Sequence, residues 1–371
     1  MTLFREMTTM RVGGPAREFE EARSTEALLA LVRKADADGT PLLLLGGGSN
    51  LVVGDAGWDG LAVRIASTGV EIDGSTVTAD AGVDWDGLVA LTVAEGLAGL
   101  EALSAIPGTV GASPVQNVGA YGALTSDVLA SVTVLDRATG QIEEWPNERC
   151  GFGSHRQSAF KHTDRYVILR VRFELRRASQ SGPLRFGSLV GRLGVEPGGT
   201  APIGDVREAV TRLRRERGSV VDPDDSDTWG VGTFFINPVV PVLPEPVLAA
   251  LAAVPEDRRP VYPDPEGVKV PSGWLIENAG LPRGYGREWG RGSVALSHKH
   301  FAAVANHTGD ATTQEVMRFA AHIRTVVEQR WGIRLRPECH LINCSFDDGL
   351  TGEQDQPAEW DEPGRASASR T

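Results

Sequence analysis

The chain has 371 residues, 49 Asp and Glu against 37 Lys and Arg, a formal charge of −12 and 41% apolar residues. At roughly 100–200 residues per domain this is two or three domains with a packed core, which excludes wholesale disorder. The acidic balance excludes an extended basic nucleic-acid surface, and no apolar run approaches the roughly 20 residues of a membrane span. A local cationic pocket for a small anion stays compatible with it.

The opening MTLFREMTTMRVGG carries charges where a signal peptide has its apolar core, which points to a cytoplasmic protein without membrane insertion. Ser24 reads as the N-cap of an amphipathic helix running to about Ala37, and residues 41–45 as a buried strand. Leu51-Val52-Val53 reads as a further strand, and residues 70–81 as a hairpin around Asp73-Gly74. Residues 84–95 have helical spacing with Leu88, Leu91 and Val93 on the apolar side. A second hairpin spans 131–145 with its turn at Ala138-Thr139-Gly140, then a strand at 167–175 and an Arg-rich amphipathic helix at 205–217. Past Gly218 the composition turns Pro/Asp/Gly-rich over 222–232, which marks a domain boundary. Short helices follow at 244–254 and 273–280, then the longest at 312–331, capped by Thr312 or Thr313, and a closing strand at 333–343. From Asp347 seven acids, two arginines and one aromatic read as a disordered acidic tail. The class is α+β, with mixed or antiparallel sheets. Cys150, Cys339 and Cys344 are odd in number and lack a CxxC, as in a reducing compartment.

Several chemistries drop out by motif. None of Lys34, Lys161, Lys269 and Lys299 follows a glycine, so there is no Walker A loop, and HExxH and GxSxG are absent. Gly46-Gly47-Gly48-Ser49-Asn50 follows a strand, but Leu51 stands where the third glycine of GxGxxG belongs and no helix follows, so the Rossmann fingerprint fails. A second glycine-rich run spans 104–122 and carries Gly108, Gly111, Ser113, Gln116, Asn117, Gly119 and Tyr121. Glycine lets backbone N–H groups approach a phosphate, and neutral amides and hydroxyls suit a pyrophosphate or an isoalloxazine edge. Tight turns in a sheet would produce either run alone; the two together point to a bound dinucleotide.

Six blocks then occur in order: GGGSNLVV, IPGTVGASPVQNVGAYG, SHRQSAFK, GTFFINP, SGWLIENAGL and RPECHLI. From about Thr9 to Ile342 the chain resembles the UDP-N-acetylenolpyruvoylglucosamine reductase family, flavoenzymes of peptidoglycan precursor synthesis. The resemblance implies a two-lobed FAD-binding domain of the vanillyl-alcohol-oxidase type over residues 1–218. It also implies a separate α/β substrate-binding domain over 219–346, whose last strand returns Glu338 to the flavin; 347–371 is the tail. FAD is then held noncovalently, NADPH is the hydride donor, and a UDP-sugar enolpyruvyl ether is the substrate. Charge builds at C2 and the adjoining carboxylate, and protonation at C2 yields the lactyl ether. Nothing demands more than a monomer.

Residue by residue, Arg156 matches the family's active-site arginine, a guanidinium that forks onto a carboxylate and stabilises enolate charge. Glu338 matches its C-terminal acid. Thr233 occupies the place of the usual proton-donating serine, keeping the hydroxyl but adding a methyl. Asn237 resembles the substrate-binding asparagine, and Ile236 replaces a lysine of some relatives. His155 stands where relatives often have tyrosine, His300 matches a polar substrate-contacting position, and Arg217 falls near a basic residue that precedes the substrate domain. Phe186 aligns loosely with a tyrosine on a substrate-closing loop of one subtype, or is simply buried. Gly46, Gly47, Gly48, Ser49 and Asn50 together with the second run are the candidate FAD cradle. A sugar or alcohol oxidase of the same fold has no flavin-linking His or Cys motif in its favour. A non-catalytic nucleotide-sugar binder is kept open by Thr233 and opposed by Arg156 and Glu338.

Overall fold

The computed structural model describes residues 2–153, 158–161 and 163–346. The expectation of a disordered tail at 347–371 lies outside the described residues.

Apolar runs too short for helices sort first into two sheets. Ala16–Ala22, Trp58–Ile65 and Leu42–Leu45 lie parallel in that order. Helix α1, Thr25–Asp38, starts where the Ser24 hydroxyl accepts the Ala27 N–H and stops at Gly39, whose φ of 65° few other residues adopt cheaply. Its Leu28, Val32 and Ala35 pack onto Leu61 and Val63 of the sheet. The second sheet is antiparallel, in the order Gln141–Pro146, Leu129–Asp136, Tyr166–Glu174, Thr76–Asp80, Val70–Asp73. Both expected hairpins are in it, closing at Asp73↔Thr76 and Asp136↔Gln141. Leu135, Val167 and Leu169 share the core under α1, while Val132 and Val134, alternating with Leu135, face a second core, as does Val171 beyond the register shift at Leu169.

That second core is capped by α2, Trp85–Ala94, with Asp84 as N-cap. Of the expected face Leu88 is buried, but Leu91 is exposed and Val93 only half-buried, and the buried stripe is Trp85, Leu88, Val89 and Thr92. Positions i, i+3, i+4 and i+7 from Trp85 fall on one stripe, and the bulk of the indole decides which stripe turns inward. The short α3, Ala112–Val115, lies in the second glycine-rich run. Helices α4, Gly187–Leu193, and α5, Ile203–Glu216, form a small layer in which Leu189, Val206 and Val210 reach Tyr121.

The C-terminal portion is organised by α6, Glu245–Ala252, α7, Ser272–Asn278, and the long α8, Thr313–Trp331. Thr312, not Thr313, caps α8, exchanging bonds with Glu315 in a capping box. Val316, Phe319, Ile323, Val327 and Trp331 of α8 are buried in one core with Phe234, Phe235, Leu275 and Val304. Residues 333–343 do not form one strand as expected. Ile333 and Leu335 do point inward, but Pro337 lacks an N–H, and only an isolated bridge, Phe235↔Pro337, forms before the strand His340–Ile342. That strand runs parallel to Leu51–Val53, nearly three hundred residues earlier. Met10, Val12 and Val52 also belong to the C-terminal core, and the buried Asn306 amide donates to the carbonyls of Met10 and Arg11.

Candidate active site

The two glycine-rich runs meet. A β-carbon on Gly47 would stand 2.8 Å from Gly108 Cα, and one on Gly46 2.7 Å from Thr109 Oγ1, so neither position admits a side chain without moving the opposite loop. Ser49 Oγ donates to Pro107 O at 3.1 Å and ties the runs together. Beneath them opens a cavity of 1390 Å³, larger than the roughly 300–1,000 Å³ of a one-ligand pocket and able to take a dinucleotide and a second molecule. Gly46, Gly47, Gly48, Ser49, Asn50, Gly108, Gly111, Ser113, Gln116, Gly119 and Tyr121 all line it.

Asn117 does not. It is turned inward at φ 38°, its Oδ1 accepts the Ser126 N–H, and only 4% of it is exposed. Ser113 reaches the wall but its hydroxyl donates to Val110 O. Replacing Gly47 by alanine should overpack the loop crossing by roughly 1–3 kcal/mol and weaken FAD retention about 10–100-fold, checked as FAD content after desalting.

The substrate side of the cavity is assembled by backbone pairing. Phe234 N donates to Ala302 O, Glu338 N to Phe234 O, and Ile236 N to Arg336 O, so the segment around Thr233 runs between 300–302 and 336–338. Thr233, Asn237, His300 and Glu338 are thereby brought to one wall. Glu338 is half-buried and lies two residues before the last strand, not on it; its carbonyl faces Asn50 Nδ2 at 3.5 Å. Asn237 is exposed, and its Oδ1 is engaged by the N–H and hydroxyl of Ser272 at the start of α7. Phe186 is 42% exposed rather than buried, edge-on to Tyr121 with ring centroids 5.2 Å apart. Arg156 and His155 lie outside the described residues.

Among the described residues, four cationic side chains, Arg137, Lys161, Arg214 and Arg217, line the cavity against two carboxylates, Asp164 and Glu338, so an acidic protein does hold a cationic pocket. Lys161, Arg214 and His340 were not singled out from the sequence. Lys161 closes the SHRQSAFK block and is 5% exposed; it was legible there as a cation within a motif. His340 meets the Gln116 amide nitrogen at 3.1 Å, a pairing across 224 positions that no local pattern announces.

Burial pushes the Tyr121 phenol up, against the pull of Arg214 and Arg217. Burial, and then the charges of Arg217, Arg214 and Arg283, push His300 down to about 4. Its Nδ1 accepts the Ala302 N–H, which leaves the proton on Nε2, so at neutral pH this ring is a neutral donor. The folded value lies below the unfolded one of about 6.5, so the unfolded chain binds the proton first as pH falls. The contribution of His300 to stability is therefore complete above about pH 6.5 and is lost toward pH 4. Urea unfolding at pH 7.5 and 5.0 should show wild type losing on the order of 1–2 kcal/mol more than His300→Gln.

The residues fit FAD. Gln116 Oε1 is buried without a hydrogen-bond partner among the described residues, an acceptor that a flavin ring N–H would satisfy. Gly46, Gly47, Gly48 and Gly108 bring no side chain to the wall, so a pyrophosphate can approach the backbone of the crossed loops there.

Comparison with known proteins agrees. The FAD binding domain family matches residues 18–145, and the C-terminal domain of UDP-N-acetylenolpyruvoylglucosamine reductase matches residues 222–342. The chain is 51% identical to the UDP-N-acetylenolpyruvoylglucosamine reductase of Nocardia farcinica, over 90% of this chain and 86% of that one. To the enzyme of that name from Saccharopolyspora erythraea it is 46% identical, over 91% and 94%. The crystal structure of UDP-N-acetylenolpyruvylglucosamine reductase from Thermus caldophilus superposes with a TM-score of 0.63 at 23% identity, covering 92% of this chain and 97% of that one, a likeness of fold. With an FAD-binding domain, a reductase C-terminal domain and such identity over nine-tenths of its length, the chain belongs to the UDP-N-acetylenolpyruvoylglucosamine reductase family.

Proposed function

We propose that the protein reduces UDP-N-acetylglucosamine enolpyruvate to UDP-N-acetylmuramate with NADPH, through noncovalent FAD, as a cytoplasmic monomer in peptidoglycan precursor synthesis with no nucleic-acid partner. No described helix is long and apolar enough to cross a membrane. The observation that carries the reading is one cavity walled by both glycine loops and by Thr233, His300 and Glu338. FAD, when bound, supplies the hydride relay between NADPH and the enolpyruvyl ether. The protein supplies position, charge and a proton.

In this reading Arg217 and Arg214 attract the diphosphate, and neutral His300 offers a donor without adding charge. Thr233 gives its hydroxyl proton to C2 as charge builds there and is reprotonated from solvent, Glu338 hydrogen-bonds the enolic carboxylate region, and Arg156 has the charge-stabilising role. The branched Thr233 side chain has fewer rotamers than serine, which fixes the hydroxyl at the cost of adaptability. The unit boundary near Gly218 belongs to the same reading; it is supported by a C-terminal core drawn from residues 231 onward together with Met10, Val12 and Val52. The test is anaerobic addition of NADPH and then enolpyruvyl substrate to the purified protein. Flavin absorbance should bleach and then return. Bleaching without return overturns the substrate assignment.

A further inference from the structure

The second glycine-rich run begins at a residue whose backbone is held from both sides. Ala105 sits at φ 59°, in the left-handed region that a residue with a β-carbon seldom occupies without support. Its N–H donates to Asp86 Oδ1 at 2.6 Å, and its carbonyl accepts Arg214 Nε at 3.1 Å. Asp86, in the first turn of α2, also takes a bidentate pair from Arg207 of α5, at 2.6 and 3.0 Å. Arg207 and Arg214 are seven residues apart and so share one face of α5. Arg214 Nη2 donates onward to Ser219 O at 2.9 Å, beyond the helix end where Arg217 stands. Ile106, Gly108, Arg214, Arg217 and Ser219 all line the cavity. One carboxylate therefore fixes the entry of a cofactor loop and the face of α5 that carries the cations.

We propose that Asp86 is a positioning residue for nucleotide binding: through the Ala105 peptide and Arg207 it sets where Arg214 and Arg217 present their charges to a substrate diphosphate. This deepens the functional reading above and rests on it. Asp86 is not among the residues that line the cavity, whereas Ile106, next to Ala105, and Arg214, on the face of α5 that carries Arg207, do line it. Its own ionisation is secured in place. Burial pushes the Asp86 carboxyl up, but hydrogen bonds from Arg207 and Ala105 and the charges of Arg207 and Arg214 outweigh burial and hold it below the ordinary carboxylate value. The anionic acceptor is thus present throughout the neutral range.

The test is titration of the oxidised FAD-loaded protein with UDP, followed by the flavin difference spectrum, alongside KM and kcat. Asp86→Ala should weaken UDP binding and raise KM for the UDP-sugar about tenfold, with kcat changed less than threefold and FAD content retained. Arg207→Met, which leaves Ala105 its acceptor, should give a smaller loss in the same direction. The exchange D86R with R207D keeps an ion pair but leaves the Ala105 N–H without an acceptor. It should recover thermal stability and not UDP affinity. Recovery of both by the exchange, or UDP affinity within twofold of wild type in Asp86→Ala and Arg207→Met, overturns the proposal. Wild-type protein that fails to bind UDP overturns the functional reading instead, and this inference with it.

Discussion

Replacing Thr233 by valine is expected to lower kcat by roughly 10²–10⁴-fold, the range a positioned proton donor contributes. Valine keeps the branched shape and removes only the hydroxyl, so packing beside the fully buried Phe234 is preserved and the loss reports chemistry. In stopped flow, bleaching of the flavin by NADPH should keep its wild-type rate, and only the return of absorbance on adding the enolpyruvyl substrate should slow. Thr233→Ser restores a donor with a freer rotamer and should stay within about tenfold of wild type. Equal turnover in Thr233→Val and wild type would move the proton donor elsewhere, with Glu338 next to be replaced by glutamine.

Trp331→Ala is expected to cost roughly 3–5 kcal/mol of stability, the range for deleting a large buried aromatic. The indole ends α8 at 1% exposure, lies 5.4 Å from the Trp274 ring, and donates Nε1–H to Leu275 O at 2.9 Å. Truncation removes the packing and one of two hydrogen bonds at that carbonyl, which keeps the Ala279 N–H, so the cost is mainly that of the cavity. Urea unfolding followed by far-ultraviolet circular dichroism measures it; a loss under 1 kcal/mol would mean that α7 and α8 close over the gap. Trp331→Phe keeps part of the volume but no donor, and should fall between.

The elements legible from sequence are those whose determinants lie close along the chain. Both hairpins were marked by their own turn residues, Asp73-Gly74 and Ala138-Thr139-Gly140, and α8 by a threonine cap at 312 or 313, which the capping box with Glu315 settles at Thr312. The apolar face of α2 was misread because Leu91 and Trp85 compete for one interior, and only the second core decides between them. The closing strand was overextended because its ladder partner, Leu51–Val53, lies far away and Pro337 interrupts the pairing before it. The same divide holds at the cavity. Its glycine loops and the wall residues Thr233 and Glu338 were marked by ordered blocks, whereas Arg214 reaches it by tertiary placement alone, and His340, though inside RPECHLI, shows its role only through Gln116. Asn117 beside Gln116 shows how two neighbours in one motif part company once a positive φ turns one of them inward.

The parallel pairing of Leu51–Val53 with His340–Ile342 also bears on how the protein is made. The first glycine loop ends at Asn50, whose carbonyl accepts the His340 N–H, so its anchor is among the last described residues to leave the ribosome. The loop is held from both sides, since the Gly48 carbonyl also accepts the Thr9 N–H, but it is complete only once residues 340–342 are in place. Nascent chains stalled before residue 340 should emerge without flavin, so that cofactor capture waits for His340–Ile342 to pair with Leu51–Val53.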